Sequence, residues 1–284
     1  MTTIIDGKTI SAYVKDKIKA EVEELKNKGI TVGLAVIIVG DNPASKIYVA
    51  NKKKACEQLG IISQEYALPA ETTMEELLAL INTLNNEKSI NGILCQLPLP
   101  EGLDENAVIN AINPEKDVDA FHPQNVGRIM IGDFDFVPCT PAGIIEMLDY
   151  CKIDIKGKSC VVIGRSNIVG KPMAMLLLHR NGTVTVCHSR TQNLKDVTKT
   201  ADILVSAVGK ANFVTEDMVK DGAVVIDVGM NRLDGKLCGD VDFENVSKKA
   251  SAITPVPGGV GPMTIAMLMK NTLTAAKRQN KIAE

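Results

Sequence analysis

Tyr48 and Lys52 stand four residues apart in the stretch 43–59, and that separation puts two side chains on one face of a helix. A phenol and an amine so placed could position a ligand and move protons, if the helix starts beyond the carboxyl end of a buried strand. Without further context Tyr48 also suits a core, and Lys52, in the run Lys52-Lys53-Lys54, suits a solvated face. Gln96 follows the apolar residues 92–95 and precedes Leu97-Pro98-Leu99-Pro100. A polar group there can orient a catalytic side chain or cap a loop. Asp117 and Asp119 lie in Pro114-Glu115-Lys116-Asp117-Val118-Asp119, a turn-like segment where aspartate is common for local reasons.

A second constellation is Val161-Val162-Ile163-Gly164-Arg165-Ser166-Asn167-Ile168-Val169-Gly170-Lys171-Pro172. It reads as a strand, a tight turn and a helix start. Gly164 can make the turn and Gly170 can let the helix pack closely. The helix start is then expected to direct free N–H groups and its positive dipole end at a diphosphate. Ser166 takes the place of the middle glycine of G-x-G-x-x-G and the spacing is longer, so a purely structural turn also fits. The following strand, 183–187, ends in His188-Ser189-Arg190 without the acid that would bind the ribose hydroxyls of NAD. A hydroxyl at Ser189 and a cation at Arg165 suit the 2′-phosphate of NADP. Arg165 and Arg190 also read as solvated surface charges, Arg190 the more so.

The elements that must position these groups alternate. Helical spacing covers 9–28, 43–59 and 74–84, and strand-like runs cover 32–39, 61–68 and 92–96. The order predicts a parallel sheet with right-handed crossovers. Residues 97–137 are rich in proline and glycine, with a short helix expected near 105–111 and a weak strand pair near 128–136. After a helix at 141–151 a second series begins, with strands expected at 159–163, 183–187, 203–207 and 223–228 and helices at 168–179, 194–199 and 215–219. A Pro/Gly-rich loop at 254–262 leads into a last helix, 262–278, with proline in its first turn.

The chain of 284 residues is longer than one core usually serves, and its 45% hydrophobic content is that of a globular protein. A net charge of −2 offers no field for nucleic acid or an anionic membrane. No apolar run approaches the length of a membrane span, and the start MTTIIDGKTI lacks a secretory pattern. Seven cysteines, an odd number with no C-x-x-C pair, read as reduced thiols of a cytoplasmic protein without a metal site.

Six segments, in order, resemble signatures of the methylenetetrahydrofolate dehydrogenase/cyclohydrolase family. They are Tyr48–Lys54, Gly92–Pro100, Lys116–Phe121 (with Ala120 where the family has glycine), Pro138-Cys139-Thr140-Pro141, Gly164–Pro172 and Pro255–Thr264. The resemblance implies an α/β protein of two domains flanking a cleft: an N-terminal α/β folate domain, 1–138 rejoined by 265–284, and a Rossmann-like NADP-binding domain, 139–264. It implies Lys52 as the key catalytic residue, Tyr48 stacking on the folate, Gln96 holding Lys52, and Asp119 gripping the pterin. Pro257, Gly258 and Gly259 are implied to line the folate pocket, and Gly164, Arg165, Ser166, Ile168, Gly170, Ser189 and Thr140 to bind the cofactor. The implied chemistry is NADP-dependent oxidation of 5,10-methylenetetrahydrofolate, then hydrolysis of the 5,10-methenyl product to 10-formyltetrahydrofolate, in a homodimer. On fold alone, another NADP-dependent oxidoreductase or a non-catalytic binding module would also fit. Folate-dependent turnover separates these readings.

Overall fold

The computed structural model describes residues 2–282, the side chain of Ala44 excepted. In chain order the elements are β1 (Thr3–Ile4), α1 (Gly7–Asn27), β2 (Gly33–Val39), α2 (Pro43–Leu59), β3 (Ile62–Leu68), α3 (Met74–Asn86), β4 (Gly92–Cys95), α4 (Glu105–Ala111) and α5 (Pro123–Ile131). There follow α6 (Cys139–Tyr150), β5 (Ser159–Ile163), α7 (Gly170–His179), β6 (Thr183–Cys187), α8 (Leu194–Thr198), β7 (Ile203–Ser206), β8 (Val224–Asp227), β9 (Asn231–Leu233), β10 (Lys236–Cys238), α9 (Phe243–Val246), β11 (Ala252–Ile253) and α10 (Val260–Gln279). They form two compact units. One holds Tyr13–Cys139 and the described residues from Ile265 onward. The other holds Thr140–Thr264 and the described residues up to Ala12.

The first unit is built on a parallel sheet of order β3-β2-β4. All seven residues of β2 are buried, which is why its sequence is continuously apolar instead of alternating. Leu77, Ile81 and Leu84, on one face of α3, pack with Ala35, Ile37 and Val39 of β2. The helix is started by a capping box. Thr73 accepts from the backbone N–H of Glu76, whose carboxylate accepts from the N–H of Thr73. Because α2 follows the carboxyl end of β2, and Gln96 follows β4, the neighbour of β2, the two segments that carry Lys52 and Gln96 leave one edge of one sheet.

The segment expected to pair as strands at 128–136 is instead helical from Pro123 to Ile131. His122 caps the helix start, its Nδ1 accepting from Gln124 N–H at 3.1 Å, and Pro123 occupies the first turn. Gly132, left-handed at φ 82°, closes it. Cap and stop together outweigh the β-branched content of Val126, Ile129 and Ile131.

The second unit is a six-stranded parallel sheet, β1-β11-β8-β7-β5-β6, with a separate hairpin of β9 and β10. The chain leaves β5 to one side for β6 and returns to its other side for β7. The switch point of this Rossmann-like order therefore lies between the ends of β5 and β7. Residues 2–12 join this unit and not the first, because β1 pairs with β11, Thr3 opposite Ala252 and Ile4 opposite Ile253. A two-residue strand has no period to read, and only its distant partner reveals it. The segment expected as a helix at 215–219 is a single 3-10 turn, Glu216–Met218. No helix among the described residues is long and apolar enough to cross a membrane.

Candidate active site and dinucleotide turn

Lys52 is 9% exposed, and its Nζ donates to Oε1 of Gln96 at 2.8 Å. The amide of Gln96 is itself oriented: its Nε2 donates to the carbonyl of Leu97 at 2.6 Å, leaving Oε1 for the amine. The backbone N–H of Gln96 donates to Ile37 of β2 at 2.8 Å, which anchors the residue to the sheet. Burial lowers the pKa of Lys52, and the negative charge available to Asp119 opposes that shift. Lys53 and Lys54 are exposed and are not among the causes, so loss of water and not repulsion by neighbouring lysines drives the change. Tyr48, one turn earlier on α2, is half-buried, and burial raises the pKa of its phenol.

Asp119 and Lys52 influence each other electrostatically. Burial pushes its carboxyl up to about 6, with Lys52 pulling it down and Asp117 pushing it up. Cys139 Sγ lies 3.8 Å from Asp119 Oδ1 and 3.6 Å from the carbonyl of Val118, and burial holds its thiol well above the usual range. Lys52, Asp119 and Cys139 thus each bear on the others' charge, the amine lowering the two acids and the acids raising the amine. The neighbours of Asp119 in sequence serve the scaffold. Asp117 accepts from His122 N–H and Asn125 Nδ2, each at 2.8 Å. Lys116 Nζ donates to the carbonyls of Leu84 and Glu87, at 2.9 and 2.7 Å, closing the end of α3. Ala120 sits at φ 58°, so the alanine takes the left-handed conformation in which glycine is unstrained.

Sequence reasoning missed two supports of this cluster. One is the contact of Cys139, quoted only as part of a motif. The other is Asn271, on α10, whose Nδ2 donates to the carbonyls of Val118 and Val137 at 2.8 and 2.9 Å. A lone asparagine in a helical pattern carries no signal for that.

In the second unit, Gly164 has φ 126°, and a Cβ there would collide with the carbonyl of Ala207. A Cβ on Gly170 would collide with the carbonyl of Gly164. Both glycines are therefore demanded by close backbone approach. The expectation that the start of α7 offers free N–H groups needs correction. Ser166 consumes them: its Oγ accepts from Val169 and Gly170, at 3.1 and 3.3 Å, and its carbonyl from Lys171 at 3.0 Å, while Pro172 has no N–H. The successive N–H groups of Arg165, Ser166, Asn167 and Ile168 make no hydrogen bond among the described residues. The unpaired N–H groups of this segment therefore lie on that exposed turn and not at the helix start. Arg165 and Ser189 are exposed at the ends of β5 and β6, which are neighbours, and Arg165 pairs with no acid among the described residues. Arg190 is exposed as well.

Thr140 Oγ1 lies 3.0 Å from Thr264 Oγ1, away from the β5 turn in sequence but within the same unit. Pro257, Gly258 and Gly259 are also in this unit. Gly258 needs its positive φ of 104°, and a Cβ on Gly259 would collide with the carbonyl of Pro255. The structure therefore gathers Tyr48, Lys52, Gln96 and Asp119 in one unit, and Thr140, Gly164–Gly170, Ser189 and Pro257–Gly259 in the other. Among the described residues no group of three or more His, Cys, Asp or Glu is placed to hold a metal.

Two family models match the chain: the tetrahydrofolate dehydrogenase/cyclohydrolase catalytic domain over residues 5–119, and the NAD(P)-binding domain of the same family over residues 138–280. The bifunctional protein FolD of Acetivibrio thermocellus is 64% identical over 280 residues, covering 98% of each chain. The crystal structure of the bifunctional enzyme FolD from Campylobacter jejuni superposes with a TM-score of 0.96 at 53% identity, covering 98% of this chain and 100% of that one. The Trypanosoma brucei methylenetetrahydrofolate dehydrogenase-cyclohydrolase, solved with NADP cofactor and an inhibitor, gives 0.94 at 40% identity, covering 99% of each.

Proposed function

We propose a two-step activity for this chain, which belongs to the tetrahydrofolate dehydrogenase/cyclohydrolase family: NADP-dependent oxidation of 5,10-methylenetetrahydrofolate to the 5,10-methenyl cation, then hydrolysis of that cation to 10-formyltetrahydrofolate. The observation that carries the reading is the buried Lys52 amine, held at 2.8 Å by an oriented Gln96 and facing the electrostatic influence of Asp119.

The residues divide the work by chemistry. Asp119 grips the pterin, whose 2-amino group and ring N–H present a planar fork to its carboxylate. Tyr48 stacks on the folate and positions it. Lys52 handles the proton of the attacking water: burial loosens its hold on its own proton, so Nζ can take one from water and return it as the ring opens. Gln96 fixes where Nζ stands. Pro257, Gly258 and Gly259 are assigned folate contacts on the family resemblance alone. When bound, the dinucleotide supplies the hydride acceptor. The N–H groups at 165–168 hold its diphosphate, and Arg165 with Ser189 reads the 2′-phosphate that distinguishes NADP from NAD. Ile168 and Gly170 shape that turn, and Thr140 contributes a hydroxyl to the cofactor side. We further assign the chain to a cytoplasmic homodimer, on the family resemblance, and light scattering of the purified protein tests the dimer.

The deciding experiment is a spectroscopic assay with 5,10-methylenetetrahydrofolate and either NADP⁺ or NAD⁺, following reduced cofactor and methenyl product separately. Turnover with NADP⁺ and little methenyl accumulation is expected. Absence of turnover with both cofactors in folded protein would remove the proposal.

A further inference from the structure

Asp240 is fully buried at the carboxyl edge of the six-stranded sheet, yet it lies outside every motif that suggested chemistry. Its two oxygens gather five donors. Oδ2 accepts from Val208 N–H at 2.7 Å, Gly209 N–H at 3.2 Å and Ser206 Oγ at 3.4 Å. Oδ1 accepts from Lys210 N–H at 2.9 Å and Asn231 Nδ2 at 3.0 Å. Three successive N–H groups of the loop leaving β7 thus close on one carboxylate, an anion-binding nest filled by the protein's own side chain. The carboxylate is itself held. Asp227, at the end of β8, accepts from the N–H groups of Asp240 and Val241, at 2.9 and 3.0 Å, and from Gly229 at 2.9 Å. A Cβ on Gly229 would strike Asp240, and one on Gly239 would strike Asp227, so both glycines are needed to seat the two acids.

The loop so held has a particular position. Ala207 N–H donates to Ile163 at 2.8 Å, and the carbonyl of Ala207 lies where a side chain on Gly164 would be. The loop after β7 is therefore the wall that faces the β5 turn across the switch point, where open parallel sheets hold their ligand.

We infer that Asp240 is a positioning residue for the dinucleotide, fixing the β7-side wall of its site by clamping the N–H groups of Val208, Gly209 and Lys210. The inference rests on the dinucleotide reading given above. Replacing one oxygen by an amide sets N–H against N–H and frees part of the loop.

The test compares the wild-type chain with Asp240→Asn and the milder Asn231→Ala, which removes one donor from a partly exposed position. NADP⁺ affinity is measured by calorimetry, amide exchange at 208–210 in the ligand-free protein, and hydrolysis of directly supplied 5,10-methenyltetrahydrofolate, a reaction that consumes no dinucleotide. For Asp240→Asn the expected result is a Kd raised tenfold or more, faster exchange at 208–210, and hydrolysis within twofold of wild type. Asn231→Ala should raise Kd by two- to fivefold, and it carries the test if the first variant does not fold. Wild-type affinity in either folded variant with accelerated exchange would overturn the inference alone. Hydrolysis lost in parallel with affinity would also overturn it, as the mark of a merely structural residue. A wild-type protein that binds no dinucleotide would bring down the functional reading first.

Discussion

Lys52 shows how little a residue's type says about its chemistry. In sequence it belongs to a run of three lysines, and two of them are the exposed charges that such a run suggests. The third is buried beside Gln96, and burial alone moves its proton affinity toward what acid-base chemistry requires. Lys52→Ala is expected to abolish hydrolysis of the methenyl substrate, a loss of 10²-fold or more in keeping with the order of magnitude of acid-base catalysis, while NADP⁺ affinity stays near wild type. Retained hydrolysis would take Lys52 out of the mechanism. Arg165 is the opposite case, an exposed cation on an exposed turn. Arg165→Ala should weaken NADP⁺ by roughly ten- to a hundredfold and NAD⁺ far less, since a charge-assisted contact to phosphate contributes about 1.5–3 kcal/mol. Equal losses in parallel titrations would mean that it reads no phosphate.

At the level of elements, the cluster depends on how segments are tied to one another. The segment 117–119 runs beside β4, Ile93 N–H donating to Lys116 at 2.8 Å. On its other side Asn271 of α10 bonds the carbonyls of Val118 and Val137. Asn271→Ala leaves these carbonyls without that donor in the interior. A cost of about 2–3 kcal/mol is expected, read as a lower urea midpoint, together with a raised KM for folate from the loosened Asp119. A stability loss with unchanged KM would show that the tie supports the fold but not the site. The misread element, α5, makes a related point. Its type was decided by His122, Pro123 and Gly132 at the ends and not by the residues between them.

For the whole molecule, the carboxylates fall into two classes with opposite consequences. Asp119 and Asp227 are pushed up to about 6 by burial, and Asp117 is raised as well. The folded state binds their protons more tightly than the unfolded chain does, so between pH 4 and 6 their contribution to stability falls as pH rises. Asp202 is lowered by Lys220 and Ser159, and Asp217 is lowered to about 2 by Lys195 and Thr215. Stability from these is present above the unfolded pKa and lost as pH falls through the folded one. Denaturant midpoints should therefore peak at about pH 4, decline between about pH 4 and 6, level off toward neutrality, and fall again below about pH 4. Asp119→Asn should flatten the decline between about pH 4 and 6; an unchanged slope would mean that Asp119 is not a buried carboxylate of this kind.

Elements with local signals were legible in the residues alone: the continuous apolar run of β2, the helical spacing and glycine stop of α2, the strand-turn-helix around Gly164, and the order that makes both sheets parallel. Together with the six motifs, they also made the family legible. It took the folded chain to show that Cys139 lies against Asp119, that Asp117 and Lys116 serve the scaffold, that Ser166 consumes the first N–H groups of α7, and that β1 completes the second sheet, while the pairing of Gln96 with Lys52 had been implied by the resemblance. The physical reason is that period and capping act over a few residues of chain. Burial, and with it the proton affinity of a side chain, is a property of what distant segments bring around it.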